Sequence, residues 1–311
     1  MGSAPESVLI GSLQKFSLED GPGIRTTIFM KGCPLHCEWC HNPELIDSEQ
    51  QLIRSPNNCI GCGHCIEICP RKAISISPDK GIIIDRENCD MCIKCADECY
   101  AKALRPVARL MNKEEILAVV KEDKRFYDNT GGGITLSGGE VLMHGAFAKE
   151  LIKGADESGI NVCIDTSGYG DPEELLEMAL MDNVTNILYD IKSVDDKVHE
   201  DNTGVSNELI INNLKMLAAD ERTRDKLIMR MPLIKGINDS REIIEKTGEL
   251  YKSIGIKNVD LLVYHSLGIS KKRNIGGEQM EFEQPTEERI AEIEDYFKNE
   301  IKLKVGVLGR V

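Results

Sequence analysis

Cys33, Cys37 and Cys40, in the segment Gly32-Cys33-Pro34-Leu35-His36-Cys37-Glu38-Trp39-Cys40-His41-Asn42, form a CxxxCxxC run. Whatever this chain folds into must therefore gather three thiolates around one centre within a single short loop. An iron-sulfur cubane needs one thiolate per iron, so this set leaves one iron open to a small molecule that binds through oxygen or nitrogen. A zinc knuckle completed by His36 or His41 is the competing reading, but zinc sites usually pair their ligands in two separated arms.

A second cysteine system follows. Cys59, Cys62, Cys65 and Cys69 have the spacing CxxCxxCxxxC, and Cys89, Cys92, Cys95 and Cys99 repeat it at a uniform offset of 30 residues. Each copy has the bacterial ferredoxin form, in which the fourth cysteine crosses to the other cluster. Cys59, Cys62, Cys65 and Cys99 are thus expected to share one cluster, and Cys69, Cys89, Cys92 and Cys95 the other. The first copy ends Cys69-Pro70, as that form requires, whereas the second ends Cys99-Tyr100. Two zinc ribbons would use pairs of CxxC arms and not triplets with a distant fourth. Ala73–Ser77 and Lys80–Asp85 are expected as strands about a Pro78-Asp79 turn. The module is placed at residues 55–104, with residues 1–54 and 105–311 forming a second, larger unit. Eleven of the twelve cysteines are then used, and Cys163, in an apolar strand pattern, is expected to be a buried structural thiol.

The remainder has room for a large core, with 311 residues of which 41% are hydrophobic. The first thirty residues hold no apolar run of secretory length and no stretch approaches a membrane span, so a cytoplasmic protein without a membrane partner is expected. Clustered cysteines without a secretory signal favour metal binding over disulfides and imply low oxygen. A net charge of -14 lacks the basic footprint of a nucleic-acid binder.

After the cysteine module, apolar runs at 133–137, 161–165, 187–192, 227–231, 258–264 and 303–308 alternate with amphipathic stretches such as 146–158 and 172–181. That alternation predicts an α/β fold with a parallel sheet and helices outside it. Polar residues sit where the runs end, where such sheets collect their chemistry. They include Ser137-Gly138-Gly139-Glu140, Asp165-Thr166-Ser167-Gly168, Asp190-Ile191-Lys192 and Tyr264-His265-Ser266-Leu267-Gly268. Each has a plain alternative: a glycine pair after a strand is mostly a turn, Asp beside Lys a solvated ion pair, a lone histidine a satisfied polar group. The glutamate-rich stretches at 114–123 and 287–300 read as solvated helix faces.

Asp20-Gly21-Pro22-Gly23-Ile24-Arg25-Thr26-Thr27-Ile28-Phe29, then Gly32-Cys33-Pro34 and Trp39-Cys40-His41-Asn42-Pro43, resembles the fingerprint of glycyl-radical-enzyme activating enzymes. These belong to the radical S-adenosylmethionine (radical SAM) superfamily, whose signature the CxxxCxxC run matches. The resemblance extends from Ser17 to about Gly268. It implies a partial (β/α)6 barrel with an inserted α+β ferredoxin-like module. It also implies three 4Fe-4S clusters, the one at Cys33, Cys37 and Cys40 holding SAM on its open iron. SAM contacts are implied for Gly138, Gly139 and Glu140, for Asp165, for Asp190, Ile191 and Lys192, and for His265, with Trp39, Cys40 and His41 beside the cluster. Lys192 joins the three cysteines as a catalytic candidate. Trp39 is open to simple packing, and Arg25 to holding the loop below the cluster.

The activity implied is reductive cleavage of SAM to a 5'-deoxyadenosyl radical that takes a hydrogen from a glycine of a large partner glycyl radical enzyme. A transient complex, a monomeric activase and an electron donor such as flavodoxin or ferredoxin go with it. The eight-cysteine insert points to the group serving dehydratases, decarboxylases and C-N, C-S or C-C lyases. Two other readings stand beside it. A radical SAM enzyme acting on a small molecule would share every motif but the Asp20–Pro43 fingerprint. A multi-cluster electron carrier would use eleven cysteines but leaves the larger unit without a purpose.

Overall fold

The computed structural model describes residues 5–77 and 81–309. The chain opens with β1 (Ser7–Ser17) and β2 (Arg25–Met30), which pair antiparallel. It leaves this body by β3 (Leu52–Arg54), forms α1 (His64–Ile68), β4 (Ile74–Ser77), β5 (Gly81–Ile84) and α2 (Lys94–Asp97), and returns by β6 (Leu104–Pro106). β3 and β6 pair antiparallel, so exit and return lie side by side. β4 and β5 form the expected hairpin, while the Pro78-Asp79 turn and Lys80 lie outside the described residues.

Next come β7 (Arg109–Asn112), α3 (Lys113–Lys121) and α4 (Lys124–Thr130), then β8 (Gly133–Gly138), α5 (Gly145–Asp156), β9 (Asn161–Thr166), α6 (Pro172–Ala179) and β10 (Val184–Asp190). The chain continues through α7 (Asp196–Thr203), α8 (Glu208–Ala219), α9 (Glu221–Arg224), β11 (Leu227–Leu233), α10 (Arg241–Ser253), β12 (Asn258–Val263), α11 (Leu267–Asn274), α12 (Glu287–Asp295) and β13 (Lys304–Leu308).

Nine of these strands make one sheet, in the order β13-β12-β11-β10-β9-β8-β2-β1-β7. β2 and β8 through β13 run parallel; at one edge β1 pairs antiparallel with β2, and β7 pairs antiparallel with β1. Five of the parallel strands, β8 to β12, are followed by helix; β2 is followed by the cysteine loop and the insert, and β13 ends the series of a partial barrel. Helices start where capping residues satisfy their first amides: Asn112 with Glu115 as a capping box for α3, Asp171 for α6, Ser240 for α10 and Thr286 for α12. β8 is buried on both faces, as a strand covered on two sides should be, and Ile134, Leu136, Val162, Ile164, Ile187 and Met229 form the centre of the core. β10 ends at Asp190, two residues sooner than the apolar run suggests, and α12 runs on into a π-helical turn at Tyr296–Glu300. Cys163 is fully buried.

The insert has its own small core of Leu52, Ile74, Ile82, Ala96 and Leu104. No helix among the described residues is long and apolar enough to cross a membrane.

Candidate active site

All parallel strands share a direction, so β2, β8, β9, β10, β11 and β12 deliver their last residues to one rim. The CxxxCxxC loop leaves β2 at that rim and is held from two sides. The amides of Gly32 and Cys33 donate to the carbonyls of Leu45 (2.7 Å) and Ile46 (2.8 Å), and those of His36 and Glu38 to Thr203 (2.7 Å) and Asn202 (3.1 Å) at the end of α7. Lys31, fully buried, donates through Nζ to the carbonyls of Glu44 (2.9 Å) and Asp47 (2.5 Å), and His144 Nε2 lies 2.7 Å from the Lys31 carbonyl.

Burial pushes the Cys37 thiol up to about 12 and raises those of Cys33 and Cys40 as well. Three neighbouring buried thiols resist ionisation unless a cation compensates them, and an iron centre supplies that charge.

Gly138 and Gly139 close the gap between β8 and this loop. Gly138 has φ +124°, and a Cβ on it would stand 2.2 Å from the Met30 amide nitrogen, while one on Gly139 would stand 2.0 Å from the Gly32 carbonyl. Only glycine permits that approach. Glu140 turns away into the protein. Its carboxylate accepts from the Leu142 amide (3.0 Å), the Thr166 hydroxyl (2.5 Å), and the Ser167 amide (2.8 Å) and hydroxyl (2.5 Å). The three bonds from Thr166 and Ser167 join the loop after β8 to the end of β9 and its loop. Burial raises the Glu140 carboxyl above its ordinary value, against the pull of the hydroxyls.

Beside the glycines lies a charged group that only part of the sequence foretold. Asp190 and Lys192 pair at 2.9 Å; Asp165 accepts from Ser137 Oγ at 2.6 Å and stands 3.7 Å from Arg230 on β11. Burial pushes the Asp165 carboxyl up to about 6, Arg230 opposing and Asp190 reinforcing. Burial also disfavours the Lys192 charge, but Asp190 and Cys37 outweigh it and the ammonium is held above its ordinary value. Asp165 Oδ1, Asp190 Oδ1 and Arg230 Nε are buried without a hydrogen-bond partner, which is the state of groups that await a polar ligand. Ile191 is different: its side chain belongs to the core and only its amide bonds outward, to the Arg230 carbonyl at 2.9 Å.

The β12 end closes the other side. His265 stacks on His41 with ring centroids 3.7 Å apart. Burial pushes His41 down to about 4 and lowers His265, so both rings are neutral near pH 7. Trp39 is buried edge-on to Phe282 (6.1 Å) with Ile234 and Tyr264 around it, a packing position. A Cβ on Gly268 would meet the Cys40 carbonyl at 2.0 Å, and Gln279 donates to that carbonyl at 2.9 Å. Lys271 on α11 donates to Asn42 Oδ1 at 2.6 Å.

Sequence reasoning missed Arg230, Lys271 and Gln279. Arg230 carried a signal, a charge inside the apolar run Leu227-Ile228-Met229-Arg230-Met231, whereas the other two lie where nothing periodic marks them. Arg25 sits at the opposite rim, at the start of β2. It donates to Thr135 Oγ1 (2.7 Å) and to the carbonyls of Pro22 (2.9 Å) and Ile134 (2.6 Å), clamping the loop before β2 onto β8.

In the insert, Cys59, Cys62, Cys65 and Cys99 line one cavity of about 190 Å³, and Cys95 borders it. Cys65 lies within electrostatic reach of Cys59, Cys62 and Cys99, and Cys95 within reach of Cys89, Cys69, Cys92 and also Cys65. The two copies share backbone shape. Gly61, Gly63 and Lys72 have positive φ, and so do Met91, Ile93 and Lys102 thirty residues later. The amides of Ala73 and Ala103 donate to Cys69 Sγ and Cys99 Sγ, both at 3.3 Å.

Comparison with known proteins accords with this geometry. The chain matches the radical SAM superfamily over residues 86–247, a 4Fe-4S dicluster domain over 58–103 and a 4Fe-4S single cluster domain over 19–69. It is 38% identical to the isethionate sulfite-lyase activating enzyme of Desulfovibrio desulfuricans, over 87% of each chain. It is also 38% identical to the trans-4-hydroxy-L-proline dehydratase activating enzyme of Clostridioides difficile, over 96% of this chain and 99% of that one. The chain belongs to the glycyl-radical-enzyme activating enzymes of the radical SAM superfamily. As such an activating enzyme it is a radical SAM oxidoreductase with 4Fe-4S domains. The solved radical SAM methyltransferase from Sphaerobacter thermophilus, 12% identical, superposes on 97% of this activating enzyme and 76% of that chain with a TM-score of 0.55, a likeness of fold.

Proposed function

We propose that this protein activates one glycyl radical enzyme by removing a hydrogen atom from a glycine of that partner. Three 4Fe-4S clusters serve the reaction: one on Cys33, Cys37 and Cys40, one on Cys59, Cys62, Cys65 and Cys99, and one on Cys69, Cys89, Cys92 and Cys95. When bound, the first cluster and S-adenosylmethionine supply the chemistry, in which one electron breaks the sulfonium bond to give methionine and a 5'-deoxyadenosyl radical.

The protein's own part is positioning and exclusion. Gly138 and Gly139 let the end of β8 pack directly against the cysteine loop, while Glu140 ties the loop after β8 to the loop after β9. Asp165, Asp190, Lys192 and Arg230 give the amino acid end of SAM both signs of charge within one polar patch. The neutral pair of His41 and His265 offers a flat face without charge for the nucleoside end. Trp39 and Ile191 act by packing behind it. Residues 1–54 and 105–311 work as the barrel and residues 55–104 as a two-cluster module. A monomer acting in the cytoplasm with a flavodoxin or ferredoxin as donor completes the reading.

One observation carries this reading: the CxxxCxxC loop, the glycine pair and the unpartnered atoms of Asp165, Asp190 and Arg230 meet at one rim of the sheet. The test is anaerobic reconstitution with iron and sulfide, reduction, addition of SAM and quantification of 5'-deoxyadenosine. Product that disappears in Cys37→Ala supports it. No product from a chain carrying all its iron overturns it.

A further inference from the structure

β1 has an edge that no strand covers. From Ile10 to Ser17 it pairs with β2, but β7 meets its other edge only from Ser7 to Ile10. Between Gly11 and Phe16 no strand among the described residues pairs with that second edge. Open edges invite pairing, and folded proteins usually shorten, charge or cover them. Here Ser12, Gln14 and Phe16 are exposed, and the strand carries a register shift between Gln14 and Ser17 with φ 59° at Phe16. Irregularities of this kind collect at sheet edges and beside functional sites.

At one end of the open edge, Ser12 and Gln14 line a cavity of about 220 Å³ together with Asn42, Glu44, Arg105 and Lys271. Lys271 Nζ takes Glu44 Oε1 at 3.4 Å and Asn42 Oδ1 at 2.6 Å. Glu44 Oε2 is left buried without a partner. The exposed Arg105 guanidinium has no ion pair or hydrogen bond among the described residues. One cavity thus holds an acceptor in need of a donor and a donor in need of an acceptor. A primary amide answers both, its NH2 donating to Glu44 and its carbonyl accepting from Arg105. A carboxylate would be repelled by Glu44, and an ammonium would leave Arg105 unanswered.

At the other end, Phe16 lies edge-on to Phe126 with ring centroids 4.9 Å apart, and Phe16 and Leu18 are exposed. The chain then turns into the candidate active site: Glu19 is within electrostatic reach of His265, and Asp20 of Asp165 and Arg230. Asn42 lies two residues after Cys40, so the cavity adjoins the CxxxCxxC loop. The open edge therefore runs alongside the site.

We propose that the partner's glycine-bearing segment binds as an extended strand added to β1 along Gly11–Phe16, with an asparagine or glutamine side chain of that segment in the cavity of Glu44 and Arg105. Main-chain hydrogen bonds hold the segment, an apolar side chain rests on Phe16 and Leu18, and the cavity selects the partner. A second copy of this chain fits the edge poorly, because it brings the same net charge of -14. The inference rests on the proposed function, which supplies the partner glycine.

The experiment uses the full reconstituted chain, reduced with titanium(III) citrate in the presence of SAM. The probe is a library of acetylated nonapeptides with a central dideuterated glycine and randomised flanks. Transfer breaks one glycine C-D bond and completes the methyl group of 5'-deoxyadenosine, leaving the radical on the peptide, so deuterium in that product reports docking. The peptides turned over should carry Asn or Gln at one fixed offset from the glycine. N-methylation along the flanks of the best sequence should abolish transfer at alternate positions only. Arg105→Glu should lower transfer from that peptide at least about tenfold and restore it with the lysine analogue, while Tyr100→Ser, in the cavity of the insert, should change nothing. Transfer indifferent to Arg105→Glu, N-methyl effects without a period of two, 5'-deoxyadenosine free of deuterium with every peptide, or a sedimenting dimer that Gln14→Pro dissociates overturns the proposal. Should Arg105→Glu lose iron, the N-methyl series on the parent chain decides. No 5'-deoxyadenosine from the iron-loaded chain removes the proposed function, whereas its formation with any of those overturning results removes only the strand-addition site.

Discussion

Glu140 receives two hydrogen bonds from Ser167, one from its amide at 2.8 Å and one from its hydroxyl at 2.5 Å, and through them the loops after β8 and β9 become one unit. Both carboxylate oxygens are fully engaged, so Glu140 is a brace between loops. Glu140→Gln keeps the shape but turns an NH2 toward donors that need an acceptor. Leaving two buried donors unpaired should cost about 2–4 kcal/mol. Chemical denaturation of the iron-loaded protein should show that loss. Weakened SAM binding at unchanged stability would instead make Glu140 a direct ligand.

The contact between Gly268 and Cys40 invites a second variant. A methyl group on Gly268 cannot coexist with a carbonyl oxygen 2.0 Å away, and that oxygen belongs to backbone held by Gln279. Gly268→Ala should therefore displace the start of α11, weaken the bond from Lys271 to Asn42, and destabilise the protein by about 1–3 kcal/mol. Iron content at the CxxxCxxC loop should fall while the insert's eight cysteines keep theirs, which iron analysis against a Cys33→Ala variant would separate. Full retention of iron would show that the helix yields without disturbing the loop.

Asp165 sets a pH dependence. Its carboxyl is raised to about 6 in the folded protein from an ordinary 3.8, so between those values the folded chain holds a proton that the unfolded chain has lost. That contribution stabilises at low pH and fades as pH rises through about 6. Between pH 7 and 5 it should add about 1 kcal/mol. Asp165→Asn should flatten this part of the denaturation-midpoint profile. A profile with the same slope in the variant would show that the burial of Asp165 is relieved by water.

The strands from Gly133 onward were legible because each is an apolar run cut off by a polar residue, and the parallel order follows from the helices between them. β1 was not, because Ser7–Ser17 mixes faces around Gly11 and packs as an antiparallel edge that the strand-helix rhythm does not require. Cysteine spacing marked the insert, which matches a 4Fe-4S dicluster domain over 58–103, because such a motif is local in sequence. The partners of Asp165 and Cys40 were hidden for the opposite reason. Arg230 and Gln279 reach them through tertiary placement, Arg230 by the register of β11 and Gln279 from a segment without secondary structure. The side chains of Trp39, Glu140 and Ile191 are buried, which their motifs alone did not show.

The repeated backbone of the insert supplies the last test. Gly63 and Ile93 occupy equivalent places before α1 and α2, with φ of 77° and 52°. Isoleucine is β-branched, and an L-residue in this region costs roughly 1–2 kcal/mol that glycine does not incur. A Cβ on Gly63 would meet nothing within 4 Å, so Gly63→Ala tests backbone strain alone. It should destabilise the insert by about 1 kcal/mol. In Ile93→Gly the relief of strain offsets both the lost contact of a half-buried side chain and the added freedom of the unfolded chain, so the net change should stay within about 1 kcal/mol. Thermal loss of the visible iron-sulfur absorption reads both variants. A large loss in Ile93→Gly together with no loss in Gly63→Ala would show that side-chain packing, and not the shared backbone shape, holds the second copy in place.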